Sequence, residues 1–120
     1  MTKKILVIED DPETIELLTS RLEANRFEMI SASDGEEGLE KVNDDKPDLI
    51  ILDVMLPKMD GYTFIRELKA RKATEKIPVI VLTGKKKMEE LFKLEGVEDY
   101  IVKPYKINDL LERIQKYLGP

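Results

Sequence analysis

Histidine and cysteine are both absent from this chain of 120 residues. Without cysteine there is no disulfide, no thiol nucleophile and no thiolate metal site, which fits a reducing compartment. Without histidine, neither a Ser-His-Asp triad nor an imidazole metal site can be built. Any metal must therefore be held by oxygens, which favours a hard cation such as magnesium or calcium. Long apolar runs are missing too: none reaches 18 residues, and a strand pattern starts within four residues of the amino terminus. Neither a signal peptide nor a membrane span is expected, and the location is read as cytoplasmic. Positive charge is not in excess. The formal net charge of −5 argues against direct nucleic-acid binding by the domain.

What is present is an ordinary globular composition, 42% hydrophobic, on a length that makes about one domain. Residues 1–120 carry no internal repeat, low-complexity tract or linker. The chain is organised around Leu49-Ile50-Ile51-Leu52-Asp53. Four apolar residues without a polar break suit a strand covered on both faces, as in a parallel sheet. Pro47, Asp48 and Pro57 bracket it and argue against a helix. Asp53 thus ends a buried strand, at the edge where open α/β sheets bind ligands. Alone, it could equally be a turn residue or a helix cap.

Three more apolar runs follow the same plan. Ile5 to Ile8 leads into Glu9-Asp10-Asp11-Pro12, where Asp11 suits an N-cap and Pro12 a first helical turn. Ile15, Leu18 and Leu22 mark the core face of that helix, and Leu17 lies off it. Phe27 to Ala32, interrupted by Glu28 and Ser31, reads as an edge strand. A helix over 36–44 places Gly38, Leu39 and Val42 inward. Asp60 suits the N-cap of a helix carrying Phe64, Ile65 and Leu68. Val79 to Leu82 is a strand ending in Thr83-Gly84, and a short helix from Lys85-Lys86-Lys87 turns Met88, Leu91 and Phe92 inward. Tyr100 to Val102 is a fifth strand, before Lys103-Pro104. The last helix carries Ile107, Leu110, Leu111, Ile114 and Leu118 on one stripe, stopped by Gly119-Pro120. Five strands alternating with five helices call for an α/β, doubly wound parallel sheet, with order 2-1-3-4-5 the common solution.

That order brings Glu9-Asp10 and Asp53 to one cleft at the switch point. Carboxylates about 4 Å apart repel by about 4 kcal/mol per pair at an effective dielectric near 20. They must take up protons or a cation, and a magnesium keeping several waters is the natural filling. Thr83 and Lys103 end neighbouring strands with a hydroxyl and an ammonium. Such a set suits a phosphoryl group, with Asp53 as nucleophile giving an aspartyl phosphate. Each member has a plain alternative. Glu9-Asp10 could be a solvated strand end, Thr83 a helix cap, Lys103 a surface lysine and Lys85 to Lys87 a solvated helix start. The weight lies in their arriving together.

Together, Ile8-Glu9-Asp10-Asp11, Leu52-Asp53-Val54-Met55-Leu56-Pro57 with Asp60-Gly61, Leu82-Thr83-Gly84 and Tyr100-Ile101-Val102-Lys103-Pro104 resemble the response-regulator receiver domain of two-component signalling. The resemblance covers essentially the full length and implies a flavodoxin-like (βα)5 fold. It implies that Asp53 accepts a phosphoryl group from a histidine kinase or phosphotransfer protein. It also implies that Glu9, Asp10, Asp53 and the Met55 backbone carbonyl hold Mg2+, Glu9 through water. Asp11 matches a variable position and stays outside that set. Lys103 would pair with the phosphoryl oxygens, and Lys103-Pro104 would be a cis peptide. Thr83 would move toward the phosphoryl group, Tyr100 would rotate into the space it leaves, and the face made by the fourth helix, fifth strand and fifth helix would change for an output partner. Without the resemblance, Tyr100 is an ordinary strand aromatic.

The segment from Thr83 to Lys103 is somewhat shorter than in many members, so a short or shifted fourth helix is expected. Lys85 to Lys87 would add positive potential beside the acidic cleft. Thr14, Leu17, Pro104 and Tyr105 are the candidate kinase contacts, with no membrane and no nucleic-acid partner. Dimerisation on phosphorylation has no residue pointing to it. The expected activity is self-phosphorylation and self-dephosphorylation, not turnover of a substrate pool. One alternative is a receiver-like interaction module that is never phosphorylated. Another is a small magnesium-dependent phosphatase, which would need an acid where Met55 stands and a cap that is absent.

Overall fold

A computed structural model describes residues 2–53, 61–84, 92–93 and 95–119. The elements run β1 (Lys4–Ile8), α1 (Pro12–Ala24), β2 (Glu28–Ala32), α2 (Gly35–Asp45), β3 (Leu49–Asp53), α3 (Gly61–Lys69), β4 (Val79–Thr83), β5 (Asp99–Val102) and α4 (Ile107–Leu118). All strands pair in parallel, in the order β2-β1-β3-β4-β5. The expected helix from Lys85 falls outside the described residues except for Phe92 and Lys93, which are helical. The Asp60 cap, Met55, Met88 and Leu91 also lie outside them.

The unbroken apolar runs have a direct explanation. Side chains alternate across a strand, and here both faces are covered. Leu6, Ile8, Ile50, Leu52, Val79 and Val81 face a core closed by Val42 of α2 and by Phe64, Ile65 and Leu68 of α3. Their neighbours Ile5, Val7, Leu49, Ile51, Ile80 and Leu82 face the opposite core, closed by α1 and α4. A polar residue at any of positions 5–8, 49–52 or 79–82 would be buried, so these stretches read as continuous runs. Strand β2 lies at the sheet edge and is only partly covered.

Three strand starts differ from the sequence expectation, β1 by beginning one residue early, at Lys4. Phe27 is buried but precedes β2, because its N–H donates to the Leu22 carbonyl at the end of α1 and is unavailable to the ladder. Strand β5 begins one residue early, at Asp99. Aspartate is depleted in strands; this one is held by the Arg113 guanidinium and the Tyr117 hydroxyl of α4.

The start of α1 follows the expected chemistry, while α2 starts at Gly35, one residue before the expected position 36. Asp11 caps α1, its carboxylate accepting from the Thr14 N–H and hydroxyl. Asp34 caps α2 by accepting from the Glu37 N–H. Gly38 is where α2 meets β1: a Cβ there would stand 2.6 Å from Ile8 Cδ1 and 3.1 Å from Phe64 Cε1.

Candidate functional site

The parallel register decides what meets at the carboxyl edge of the sheet. Ile8 pairs with Leu52, so Glu9 follows β1 beside Asp53. Asp53 pairs with Leu82, and Thr83 with Val102. The Lys103 N–H then donates to the Thr83 carbonyl at 2.7 Å, carrying the ladder one step past β5. Lys103-Pro104 is a cis peptide, as the resemblance implies.

The Lys103 ammonium donates to Asp53 Oδ2 at 2.8 Å. Asp53 is 5% exposed and Glu9 only 3%, and the two carboxyls share a hydrogen bond. Burial, with Asp53 beside it, pushes the Glu9 carboxyl up to about 7. Glu9 is also oriented from behind, since the Asp11 N–H donates to its Oε1 at 3.1 Å. Desolvation pulls the Lys103 ammonium down, yet the hydrogen bond and charge of Asp53, with Glu9 adding, hold it above the ordinary lysine value. Burial raises the Tyr105 hydroxyl as well; the Lys103 charge opposes this and the two carboxylates add to it.

Of the sequence candidates, Glu9, Asp53 and Lys103 are therefore brought together, with Thr83 fully buried on the adjacent strand. Asp10 is exposed, and among the described residues no three carboxylates group to hold a metal. The Met55 carbonyl and the run Lys85 to Lys87 lie outside the described residues. Asp11 spends its carboxylate on the cap of α1, and the Thr14 hydroxyl is its first cause of a lowered pKa. Leu17 is 50% exposed on α1. Tyr100 faces inward at 7% exposure. What sequence reasoning missed is the Asp11 N–H behind Glu9; the sequence signal for it is the tight Glu9-Asp10-Asp11-Pro12 entry into α1.

Do these residues suit a divalent cation? The Glu9 carboxyl holds its proton because burial, with Asp53 beside it, disfavours the ionised form. Mg2+ is commonly bound through one or two carboxylates, with waters and substrate phosphate oxygens completing its shell. A buried, oxygen-only pair with one member held protonated fits that requirement.

The family model described as the response regulator receiver domain matches residues 5–115. The chain belongs to this family. As a receiver of the two-component type, it is 41% identical to the alkaline phosphatase synthesis transcriptional regulatory protein PhoP of Bacillus subtilis, over 98% of this chain and 49% of PhoP. This receiver spans about half the length of the curated relatives it matches. Among solved structures, it is similar to the receiver domain of a sensor histidine kinase from Pseudomonas aeruginosa with magnesium in its active-site cleft. That match has a TM-score of 0.89 at 27% identity and covers all of both chains. It is also similar to response regulator TrrA of Thermotoga maritima in complex with Mg2+ and beryllofluoride, with a TM-score of 0.87 at 30% identity, covering 97% of this chain and 99% of that one. No described helix of this receiver is long and apolar enough to cross a membrane.

Proposed function

We propose that this receiver is a phosphorylation-controlled signalling switch whose phosphoacceptor is Asp53. The observation that carries the reading is the Lys103–Asp53 ion pair at 2.8 Å with buried Glu9 against the same carboxylate. In the reaction, an Asp53 carboxylate oxygen attacks the phosphorus of a phosphohistidine. The P–N bond breaks and its electron pair leaves with the imidazole. Lys103 follows the charge from the carboxylate to the phosphoryl oxygens, and the Thr83 hydroxyl donates to one of them. Glu9, held protonated by burial with Asp53 beside it, would lose that proton to solvent before serving as a metal ligand. Glu9, Asp10, Asp53 and the Met55 carbonyl are the residues that would hold Mg2+, which supplies charge neutralisation at the phosphoryl oxygens. Magnesium in the active-site cleft of the Pseudomonas receiver and the Mg2+ and beryllofluoride complex of TrrA support that assignment.

The chain catalyses only its own phosphorylation and dephosphorylation. A phosphoryl group of about −2 charge then biases Thr83 and Tyr100 and reshapes the face around β5 and α4 for an output partner. PhoP is named a transcriptional regulatory protein, which supports a transcriptional output. Thr14, Leu17, Pro104 and Tyr105 form the surface offered to the kinase, and the exposed Leu17 supports it. A cytoplasmic location belongs to the same reading, by way of the family.

The test is direct. Acetyl phosphate and magnesium are added and the protein is weighed intact. One phosphoryl adduct, lost in Asp53→Asn, is the expected result. No adduct would favour the unphosphorylated interaction module, and rapid turnover of varied phosphoesters would favour a phosphatase.

A further inference from the structure

Helix α3 touches the segment between β4 and β5 in a way that the phosphoryl chemistry does not use. The Tyr62 hydroxyl donates to Glu95 Oε1 at 2.6 Å. The Tyr62 ring meets Phe92 edge-on, with centroids 6.1 Å apart and planes at 70°. Phe92 in turn lies 6.1 Å from the Tyr100 ring, tilted by 36°. One turn further along α3, the Arg66 guanidinium stands 5.8 Å over the Tyr62 ring. Phe92 is 1% exposed and Tyr100 is 7% exposed. Three rings therefore form a continuous row from α3 to β5.

The outer end of the row carries a polar anchor. Phe92 has no group that can hydrogen-bond, so packing alone fixes its ring. Aromatic pairs at these spacings have preferred mutual orientations, so a ring held firmly at one end restricts the next. A hydroxyl donating to a carboxylate is among the stronger hydrogen bonds. We propose that Tyr62 is a positioning residue for Tyr100: anchored by Glu95 and Arg66, it holds Phe92 against the Tyr100 ring and favours the inward orientation. The proposal rests on the reading above, in which Tyr100 is part of the switch. It adds that α3 sets the resting balance of that switch, without touching phosphoryl transfer.

The experiment uses the intact chain with 3-fluorotyrosine at its four tyrosines, each fluorine signal assigned by single Tyr→Phe variants. A soluble nitroxide then reports the solvent exposure of Tyr100 through its relaxation effect. Tyr62→Ala, which removes both ring and anchor, should raise the exposed population of Tyr100 about three- to tenfold, the scale of one aromatic pair. Tyr62→Phe and Glu95→Ala, which remove only the anchor, should shift it less and in the same direction. Adduct formation on Asp53 should stay within twofold of the wild-type rate in all three. An unmoved Tyr100 signal in folded Tyr62→Ala overturns the proposal. Should that variant fail to fold, an unmoved signal in both Tyr62→Phe and Glu95→Ala overturns it. A wild-type chain that forms no adduct sinks the phosphorylation reading instead, so the two failures are separable.

Discussion

The two edges of the sheet use the same residue types for opposite ends. At the amino edge, lysines and acids serve the backbone. Asp48 accepts from the Lys4 N–H at 2.8 Å, and the Lys4 ammonium donates to the Asp45 carbonyl. Glu98 accepts from the Val79 N–H at 2.8 Å, while Lys69 donates to the Glu75 and Ile77 carbonyls and pairs with Glu98. At the carboxyl edge, Glu9 is pressed against Asp53, and Lys103 has a carboxylate as its partner. Charge on the first edge closes open hydrogen bonds and stabilises the fold. Charge on the second is left in a strained balance that a proton, a cation or a phosphoryl group can tip.

The largest effect should come from the carboxyl edge. Lys103→Ala is expected to slow phosphoryl transfer from acetyl phosphate by about 10²–10³-fold, the usual loss for one preorganised charge-stabilising donor. Intact-mass time courses measure it, and a loss below tenfold would break the contrast. Next comes pH. Glu9 keeps its proton up to about 7 in the folded chain, against 4.5 as its ordinary value. Between those values the folded state binds more protons, so stability falls as pH rises through the window. The full loss is about 3 kcal/mol. Denaturant melts without divalent metal should follow this slope, Glu9→Gln should flatten it, and magnesium should restore stability above the window. A level profile for the wild-type chain would remove the claim of strain.

Smaller effects sharpen the contrast from the other side. Glu98→Ala strands the Val79 N–H and should cost about 1–2 kcal/mol in a denaturant melt. Phosphoryl transfer should stay within twofold. Asp34 is an acid on the carboxyl side of β2, yet it is spent on capping α2. Asp34→Ala should cost about 1 kcal/mol and leave adduct formation unchanged. A large kinetic effect there would mean that position along the edge, and not contact with Asp53, defines the site.

Much of this was legible beforehand because burial on both faces leaves a plain mark. The apolar runs of β1, β3 and β4 contain no polar residue, and the acid or hydroxyl after each run stands out, as does the lysine after β5. Strand order then follows from alternation with helices. Adjacent acids are harder to rank. Glu9 and Asp10 look equivalent in sequence, yet Glu9 is buried and Asp10 exposed, since neighbouring side chains leave an extended chain on opposite sides. The Tyr62–Phe92–Tyr100 row was illegible because its members come from three separate elements, and no local pattern links them. Leu17 was readable as an off-face residue from helical spacing alone, and the structure exposes it.

The missing side chain at position 38 gives the acid site a hidden neighbour. Gly38 lets α2 rest directly on Ile8, and Ile8 is the residue before Glu9, so the fit of α2 against β1 lies one peptide bond from the acid. Even one added methyl at that contact would push on Ile8, and the push would reach Glu9 through a single peptide bond. A change at this buried helix–strand contact, made without touching any of the acids, would in this way retune the grip on metal and proton.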